Sequence, residues 1–286
     1  MGTAHPTNTC KLLLTNLLDL ERHMPDRIMI DMFTLKSLSS VEDLKLHLDL
    51  LESSSNLKPT HWGKDEKPSS RRKYKRDELL FSLEDGGAFD ALHLYRNKEP
   101  LYTLFFLPRP HYTLSTPVSF VPPSAIHWSF EKNVRTFSPD VVKEIFEVSS
   151  HLADQVEAIF GYIWTPWDDN EGYKLYMSRS LIKASDVQSY GANPTQIRTW
   201  YGPHIVGLIG RNTLTESGAF IRDTSWGGVE LDLVEEPWDS SLEEVLKRQK
   251  EVMAVLGKTE VFGDYARYPI CEPGKKWIPF STRPSL

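Results

Sequence analysis

The stretch Phe89–Leu107, FDALHLYRNKEPLYTLFFL, decides the fold class of this 286-residue chain. It contains two segments rich in aromatic and aliphatic residues, Phe89–Arg96 and Leu101–Leu107, on either side of Asn97–Pro100. Asn and Pro favour turns, so this pattern predicts a β-hairpin. The connection is far too short for the helical crossover that parallel strands require. The sequence therefore predicts an antiparallel sheet.

Segments outside the hairpin also have the residue pattern of strands. In Arg27–Leu35 the side chains alternate in the way that predicts a mostly buried strand. Further strands are expected at Glu78–Glu84, Val118–Val121, Tyr173–Met177, Ile205–Ile209, Val229–Val234 and Glu260–Tyr265.

Four helices are predicted from apolar residues at spacings of three and four. Two of them begin with a capping box, in which a Ser is followed three residues later by a Glu. A third begins with Ser138-Pro139-Asp140, which is typical of a helix N-terminus. The expected helices cover residues 9–23, 39–51, 138–161 and 241–257.

Together these elements predict an α+β fold, with a mainly antiparallel sheet or sheets and three or four helices packed on one face. The pattern divides near residue 132 into an N-terminal α+β lobe (9–132) and a C-terminal α+β lobe (133–286). The two lobes would then be similar in architecture. A single continuous domain satisfies the same pattern.

Composition and charge exclude several classes of protein. Hydrophobic residues make up 40% of the chain and charged residues 25%, as in ordinary globular domains. The net charge of −6 argues against a dedicated nucleic-acid-binding protein. Cys10 and Cys271 are far apart in sequence and are expected to be reduced thiols. We find no signal-peptide pattern and no long apolar run, so a cytoplasmic protein without a membrane partner is expected.

Motifs for cofactor or metal binding are missing from the sequence. The nine histidines are never closer than 14 residues, which excludes the paired histidines of a zinc-binding helix. The phosphate-binding Walker motif, the dinucleotide-binding glycine pattern and the nucleophile elbow do not occur. The sequence therefore predicts no metal, no cofactor and no catalytic residue.

One alternative is an enzyme, in the manner of a hydrolase. His61 and Asp65 lie in a long polar loop and have the chemistry of a general base with its orienting acid. His204, in a turn before an expected strand, is a second candidate catalytic histidine. Convergence of His61, His204 and a carboxylate in one cleft would favour this alternative.

A second alternative is an accessory contact with nucleic acid. The segment Lys64–Arg76 holds seven basic and two acidic residues, and Tyr74 lies within its basic run Arg71–Arg76. Basic side chains with an interleaved aromatic ring suit a phosphate backbone. The rest of the chain is acidic and would repel a polyanion, so nucleic acid is not the expected partner.

Acidic residues are concentrated in Gly228–Glu244, which holds seven of them and no base. Alternation in the expected strand would turn Val229 and Leu231 inward and Glu230 and Asp232 toward solvent. Such a surface, with tryptophans as anchors, would steer a basic partner. The residues predicted to bind this partner are Trp164, Trp167, Asp168, Asp169, Glu171, Glu230, Asp232, Glu235, Glu236, Trp238 and Asp239.

A resemblance to a known family appears over roughly residues 140–280. Its residues are RTWYGPHIVGLIG at 198–210, WGGV at 226–229, EPW at 236–238, Gln249 and PGKKW at 273–277. This pattern of residues resembles the bacterial immunity proteins associated with type VI secretion and polymorphic toxins. The resemblance implies a protein that binds one cognate toxin tightly and blocks it by occlusion, without catalytic residues. The basic segment Lys64–Arg76 departs from it.

Overall fold

One ten-stranded sheet organises the structure, a computed structural model that describes residues 28–65, 67–84, 89, 91–108, 123–131, 136–164, 184–265 and 271–280. Every neighbouring pair of strands is antiparallel, which confirms the predicted type of sheet. The strands are β1 (Met29–Thr34), β2 (His61–Gly63), β3 (Arg72–Lys73), β4 (Leu92–Arg96), β5 (Tyr102–Leu107), β6 (Ser124–Phe130), β7 (Phe160–Trp164), β8 (Arg198–Tyr201), β9 (Phe220–Asp223) and β10 (Val229–Asp232). Their order across the sheet is β3-β2-β4-β5-β6-β1-β7-β8-β10-β9.

Seven α-helices accompany the sheet in the described parts of the chain, so the fold is mixed α+β and the expected three or four helices are too few. They are α1 (Val41–Ser53), α2 (Arg76–Glu84), α3 (Pro139–Val156), α4 (Ala184–Tyr190), α5 (Pro203–Ile209), α6 (Arg211–Glu216) and α7 (Leu242–Leu256). The predicted N-caps Ser138 and Ser241 are confirmed, since their side chains accept hydrogen bonds from Val141 N and Glu244 N. None of the helices in these ranges has the length and apolar character needed to cross a bilayer.

Strand β1 connects the two halves of the sheet. Ile30 lies between Trp128 of β6 on one side and Ile163 of β7 on the other. The sheet is therefore continuous across the boundary expected near residue 132. The division into lobes at 9–132 and 133–286 stays a prediction.

Both faces of the sheet are covered at β8, the first by a helix and the second by a segment outside the helices, so the expectation that the helices pack on one face stays a prediction. On β8, Arg198 and Trp200 point to one face and Tyr201 to the other, because strand side chains alternate. The Arg198 guanidinium donates to Phe146 O of α3 at 3.0 Å, which places α3 over the first face. The ring of Phe262 packs on Tyr201 over the second face, with ring centroids 6.3 Å apart.

Two expected strands are helices. Glu78–Glu84 belongs to α2, in which Leu79 and Leu83 are buried at a spacing of four and acidic residues occupy the first turn. Ile205–Ile209 belongs to α5, where a Pro at the N-terminus and buried residues at both ends of a four-residue spacing favour a helix. Short apolar runs fit either period, which explains both errors.

Three further expectations end differently. Glu260–Tyr265 holds only isolated bridges, through Phe262 and Asp264, instead of a strand. The sequence analysis did not predict the strands β2, β3, β6, β7, β8 and β9. The helix expected at 9–23 and the strands expected at 118–121 and 173–177 lie outside the described residues.

Candidate functional site

A buried charge network lies where β8 and β10 pair. Arg198 is opposite Asp232, and Trp200 is opposite Glu230. The Arg198 Nε and Nη2 donate to the two carboxylate oxygens of Asp232, each at 2.7 Å. Trp200 Nε1 donates to Glu230 Oε2 at 2.8 Å. Because Arg198 is only 2% exposed, this bidentate pair is held away from water.

Arg222, on the neighbouring strand β9, completes the network. Its Nη2 donates to Glu230 Oε1 and, at 3.1 Å, to Asp232 Oδ2. Two guanidinium groups therefore compensate two carboxylates. Burial raises the pKa of Asp232, while the hydrogen bonds from Arg198 act in the opposite direction.

The predicted acidic outer face of this strand is wrong. Glu230 and Asp232 do point to the same face, as alternation requires, but both are buried. The reason is that α3 covers this face, and the carboxylates pair with arginines beneath it. Such internally compensated charges contribute little to the potential that a partner meets.

A cavity of about 480 Å³ opens beside this network, between α3 and the turn that joins β9 to β10. Arg198, Arg222 and Glu230 lie along its inner side. The turn is fastened to α3, since Ser225 Oγ donates to Asp154 Oδ1 at 2.5 Å. The remaining lining residues are Glu147, Ser150, His151, Asp223, Thr224, Trp226 and Trp238.

Exposed acidic residues follow β10 and form what we call the acidic segment, residues 235–244. It includes the predicted contacts Glu235, Glu236 and Asp239, and also Glu243 and Glu244 in the first turn of α7. In the part of the chain that the structure describes, none of these five carboxylates forms an ion pair. Their charge is thus available to a partner.

Trp238 lies within the acidic segment and links it to the cavity. Its ring is half-buried, packs edge-on against Phe146 of α3 at 6.4 Å, and lines the cavity. Lys143 Nζ stands 5.4 Å from the ring centroid, in the geometry of a cation–π contact. An aromatic ring that already contacts one cation therefore lies among carboxylates that form no ion pair within the described ranges.

The other predicted contacts are not part of this surface. Trp164 is buried at the end of β7, where it belongs to the core. Trp167, Asp168, Asp169 and Glu171 lie outside the described residues. The structure thus brings Glu230 and Trp238 to the cavity. Asp232 is buried in the charge network, and Glu235, Glu236 and Asp239 are exposed.

The histidines of the enzyme alternative do not converge. His61 is on β2, and His204 is the second residue of α5, just after β8. Strands β2 and β8 are six strand spacings apart, which is roughly 29 Å. His204 Nε2 lies 2.6 Å from Ile278 O. Asp65 accepts hydrogen bonds from Ser70 Oγ and Lys67 N, which lower its pKa, instead of orienting His61.

A His–carboxylate pair that sequence analysis missed does occur on β1 and β6. His127 Nδ1 and Asp31 Oδ1 are 2.6 Å apart, because the two residues are directly opposite in the pairing of these strands. Only the register reveals this contact, since 96 positions separate the residues in the chain. Within the described ranges, no group of three His, Cys, Asp or Glu side chains is arranged to hold a metal ion.

The basic segment is partly neutralised by neighbouring helices. Arg76 pairs with Asp49 at 2.5 Å and Glu52 at 2.7 Å, and Lys75 pairs with Glu78. Its other end remains exposed: Arg71, Arg72 and Lys73 are all solvent-facing at the outermost strand, β3.

Comparison with known proteins finds a similar fold in a solved structure. No family model matches the chain, and no curated protein matches its sequence. Among solved structures, the fold is similar to that of the Pseudomonas aeruginosa T6SS protein PA0821, with a TM-score of 0.56 and 12% sequence identity. The match covers 89% of this chain and 86% of that chain. At this identity the similarity is one of fold.

Proposed function

We propose that this chain is an immunity-type protein of a type VI secretion system, which binds a cognate toxin and neutralises it by occlusion. Its fold is similar, over most of both chains, to that of a protein described as belonging to the T6SS. The narrower assignment to immunity proteins is supported by the resemblance of residues 140–280. On this proposal the protein performs no bond-making chemistry.

The acidic segment is the observation that carries the proposal. Five exposed carboxylates within ten residues, without ion pairs in the described chain, produce a local negative potential that attracts a basic surface. Trp238 supplies the aromatic group that commonly anchors such contacts. The toxin would therefore present a basic surface to residues 235–244.

Because some of the acidic residues form internal ion pairs, the proposed toxin contact includes fewer residues than the sequence analysis predicted. Glu230 and Asp232 form ion pairs with Arg198 and Arg222 and are buried, so on this proposal they do not meet the toxin directly. The proposed contacts are Glu235, Glu236, Asp239 and Trp238.

The test begins with purification of the protein from its native host at low ionic strength. The retained protein is then expressed alone and together with this chain, and cell growth is measured. We expect the retained protein to be toxic alone and harmless in the presence of this chain. A retained protein without toxicity, or one whose toxicity persists on co-expression, contradicts the proposal.

A further inference from the structure

A second cavity lies in the other half of the molecule, between β2 and the β4–β5 hairpin. Its volume is about 440 Å³, within the range of small-molecule sites. It is lined by two arginines and a histidine together with neutral polar and aromatic residues, and by one carboxylate. The lining residues are His61, Arg71, Tyr95, Arg96, Asn97, Leu101, Tyr102, Thr103 and Glu131.

Arg71 contributes a positive charge to this cavity that no carboxylate of the described residues compensates. Its guanidinium carbon stands 4.0 Å above the centroid of the Tyr95 ring, so the planar group is held by stacking. It forms no ion pair with any carboxylate among the residues described. Its N–H groups are therefore free for an anionic ligand.

Arg96 brings a second charge, fixed by backbone atoms. Its Nη1 donates to Lys58 O at 2.8 Å and its Nη2 to Glu99 O at 3.2 Å. Neither acceptor is ionised. The Arg96 Nε is buried and meets no acceptor in the described chain. Arg96 thus contributes a positive charge to the cavity lining that the two backbone acceptors do not neutralise.

His61 and Glu131 set the remaining electrostatics. His61 lines the cavity, and its Nδ1 lies 3.0 Å from Thr60 Oγ1, so this hydrogen bond occupies one ring nitrogen. Glu131 is exposed and without an ion pair among the described residues. Its carboxylate opposes an anionic ligand, while the two arginines outweigh it.

We propose that this cavity binds a small soluble phosphate monoester. Guanidinium groups match the oxygens of a phosphate with paired, charge-assisted hydrogen bonds. The cavity is much larger than a phosphate group, so the ligand carries an organic part of about the size of a nucleoside or sugar. This ligand is separate from the toxin, and the site lies at the opposite end of the sheet from the acidic segment.

Isothermal titration calorimetry at low ionic strength tests the proposal with defined probes: inorganic phosphate, ribose 5-phosphate, adenosine 5′-monophosphate and adenosine. We expect saturable one-site binding of both monoesters, weaker binding of phosphate and none of adenosine. Arg71→Gln should weaken monoester binding about tenfold, because one charge-assisted contact is lost. Glu131→Gln should strengthen it a few-fold, because a nearby repulsion is removed.

Lys247→Gln is the matched control, since Lys247 is exposed on α7 and the substitution removes the same charge. Equal binding by Arg71→Gln and Lys247→Gln overturns the proposal, as does the absence of monoester binding by the unmodified protein. Two further probes distinguish other sources of phosphate: a short single-stranded RNA without terminal phosphate, and phosphatidylcholine vesicles with phosphatidic acid. Binding of either one without the soluble monoesters also overturns it. Arg71 and Glu131 are both exposed, and thermal unfolding verifies that their variants fold.

Discussion

At the scale of single residues, buried charge is the feature that most constrains this protein. Arg198 is almost completely buried and bonds two carboxylates, a backbone carbonyl and a hydroxyl. A charge in this position is tolerated only while its partners remain. The network therefore has more influence on stability than the exposed ion pairs have.

Replacing Arg198 with Leu should lower the free energy of unfolding by about 3–5 kcal/mol, because Asp232 would remain buried without its principal partner. Urea unfolding measures this loss. Arg222→Leu is the control: its side chain is 61% exposed, and water can replace it, so its loss should be clearly smaller. Equal losses in the two variants would show that Arg198 is not the central member.

His47 makes stability depend on pH. Its Nδ1 is 2.8 Å from Gln155 Oε1, its Nε2 is buried without a partner among the described residues, and burial lowers its pKa below the ordinary value of 6.5. The unfolded chain then binds a proton that the folded chain does not. Stability should therefore fall as the pH drops below about 6.5, by at most about 1.4 kcal/mol per pH unit.

The measurement is the free energy of unfolding between pH 5 and 7 for the wild type and for His47→Gln, which should have the shallower slope over this range. His151→Gln, at an exposed position on α3, is the control and should keep the slope of the wild type. An unchanged slope in His47→Gln would assign the pH dependence to other groups.

At the scale of elements, the close contact between β1 and β7 determines which residue can occupy position 161. Gly161 is opposite Met32 in this pairing. A Cβ at position 161 would lie 2.9 Å from Asp31 O and 3.1 Å from the Trp200 ring. The strand can approach this closely only with glycine at that position.

Gly161→Ala should lower the free energy of unfolding by about 2–3 kcal/mol, because the added methyl group would force backbone or an indole ring to shift. Gly207→Ala, in α5, is the matched control. A Cβ there meets nothing within 4 Å, and alanine favours helix, so it should raise stability by about 0.5–1 kcal/mol. Thermal unfolding distinguishes the two, and the proposed packing is wrong if both variants behave alike.

The elements that sequence predicts well are those with local signals. The hairpin of β4 and β5 follows from its turn residues, and the starts of α3 and α7 follow from their serine caps. The burial of Glu230 and Asp232 could not be predicted in the same way. Alternation shows that the two side chains share a face, while the packing of α3 decides whether that face meets water.

At the scale of the whole molecule, charge is distributed unevenly between the two ends of the sheet. The exposed basic residues 71–73 lie near β3, and the acidic segment follows β10 at the opposite end. Such separation affects the rate at which charged partners associate more than it affects the stability of the fold. The proposed toxin and the proposed phosphate ligand would thus approach different ends.

Reversing charge with the double variant Glu235→Lys/Glu236→Lys should slow association with the toxin about tenfold at low salt, with a smaller effect at high salt. Stopped-flow kinetics with the toxin obtained by co-purification measures this. The control is Asp77→Lys/Glu272→Lys, an equal charge change at exposed positions elsewhere. If both double variants slow association equally, the acidic segment is not the contact.

The position of β1 has a consequence for biosynthesis. Both of its neighbours, β6 and β7, are encoded at least about 90 residues downstream. At translation rates of about 5–20 residues per second, this apolar strand leaves the ribosome several seconds before either neighbour exists. During that interval the backbone hydrogen-bonding groups of β1 lack their partner strands and can pair with other chains. Chaperones that shield such strands should therefore affect how much functional protein a cell obtains.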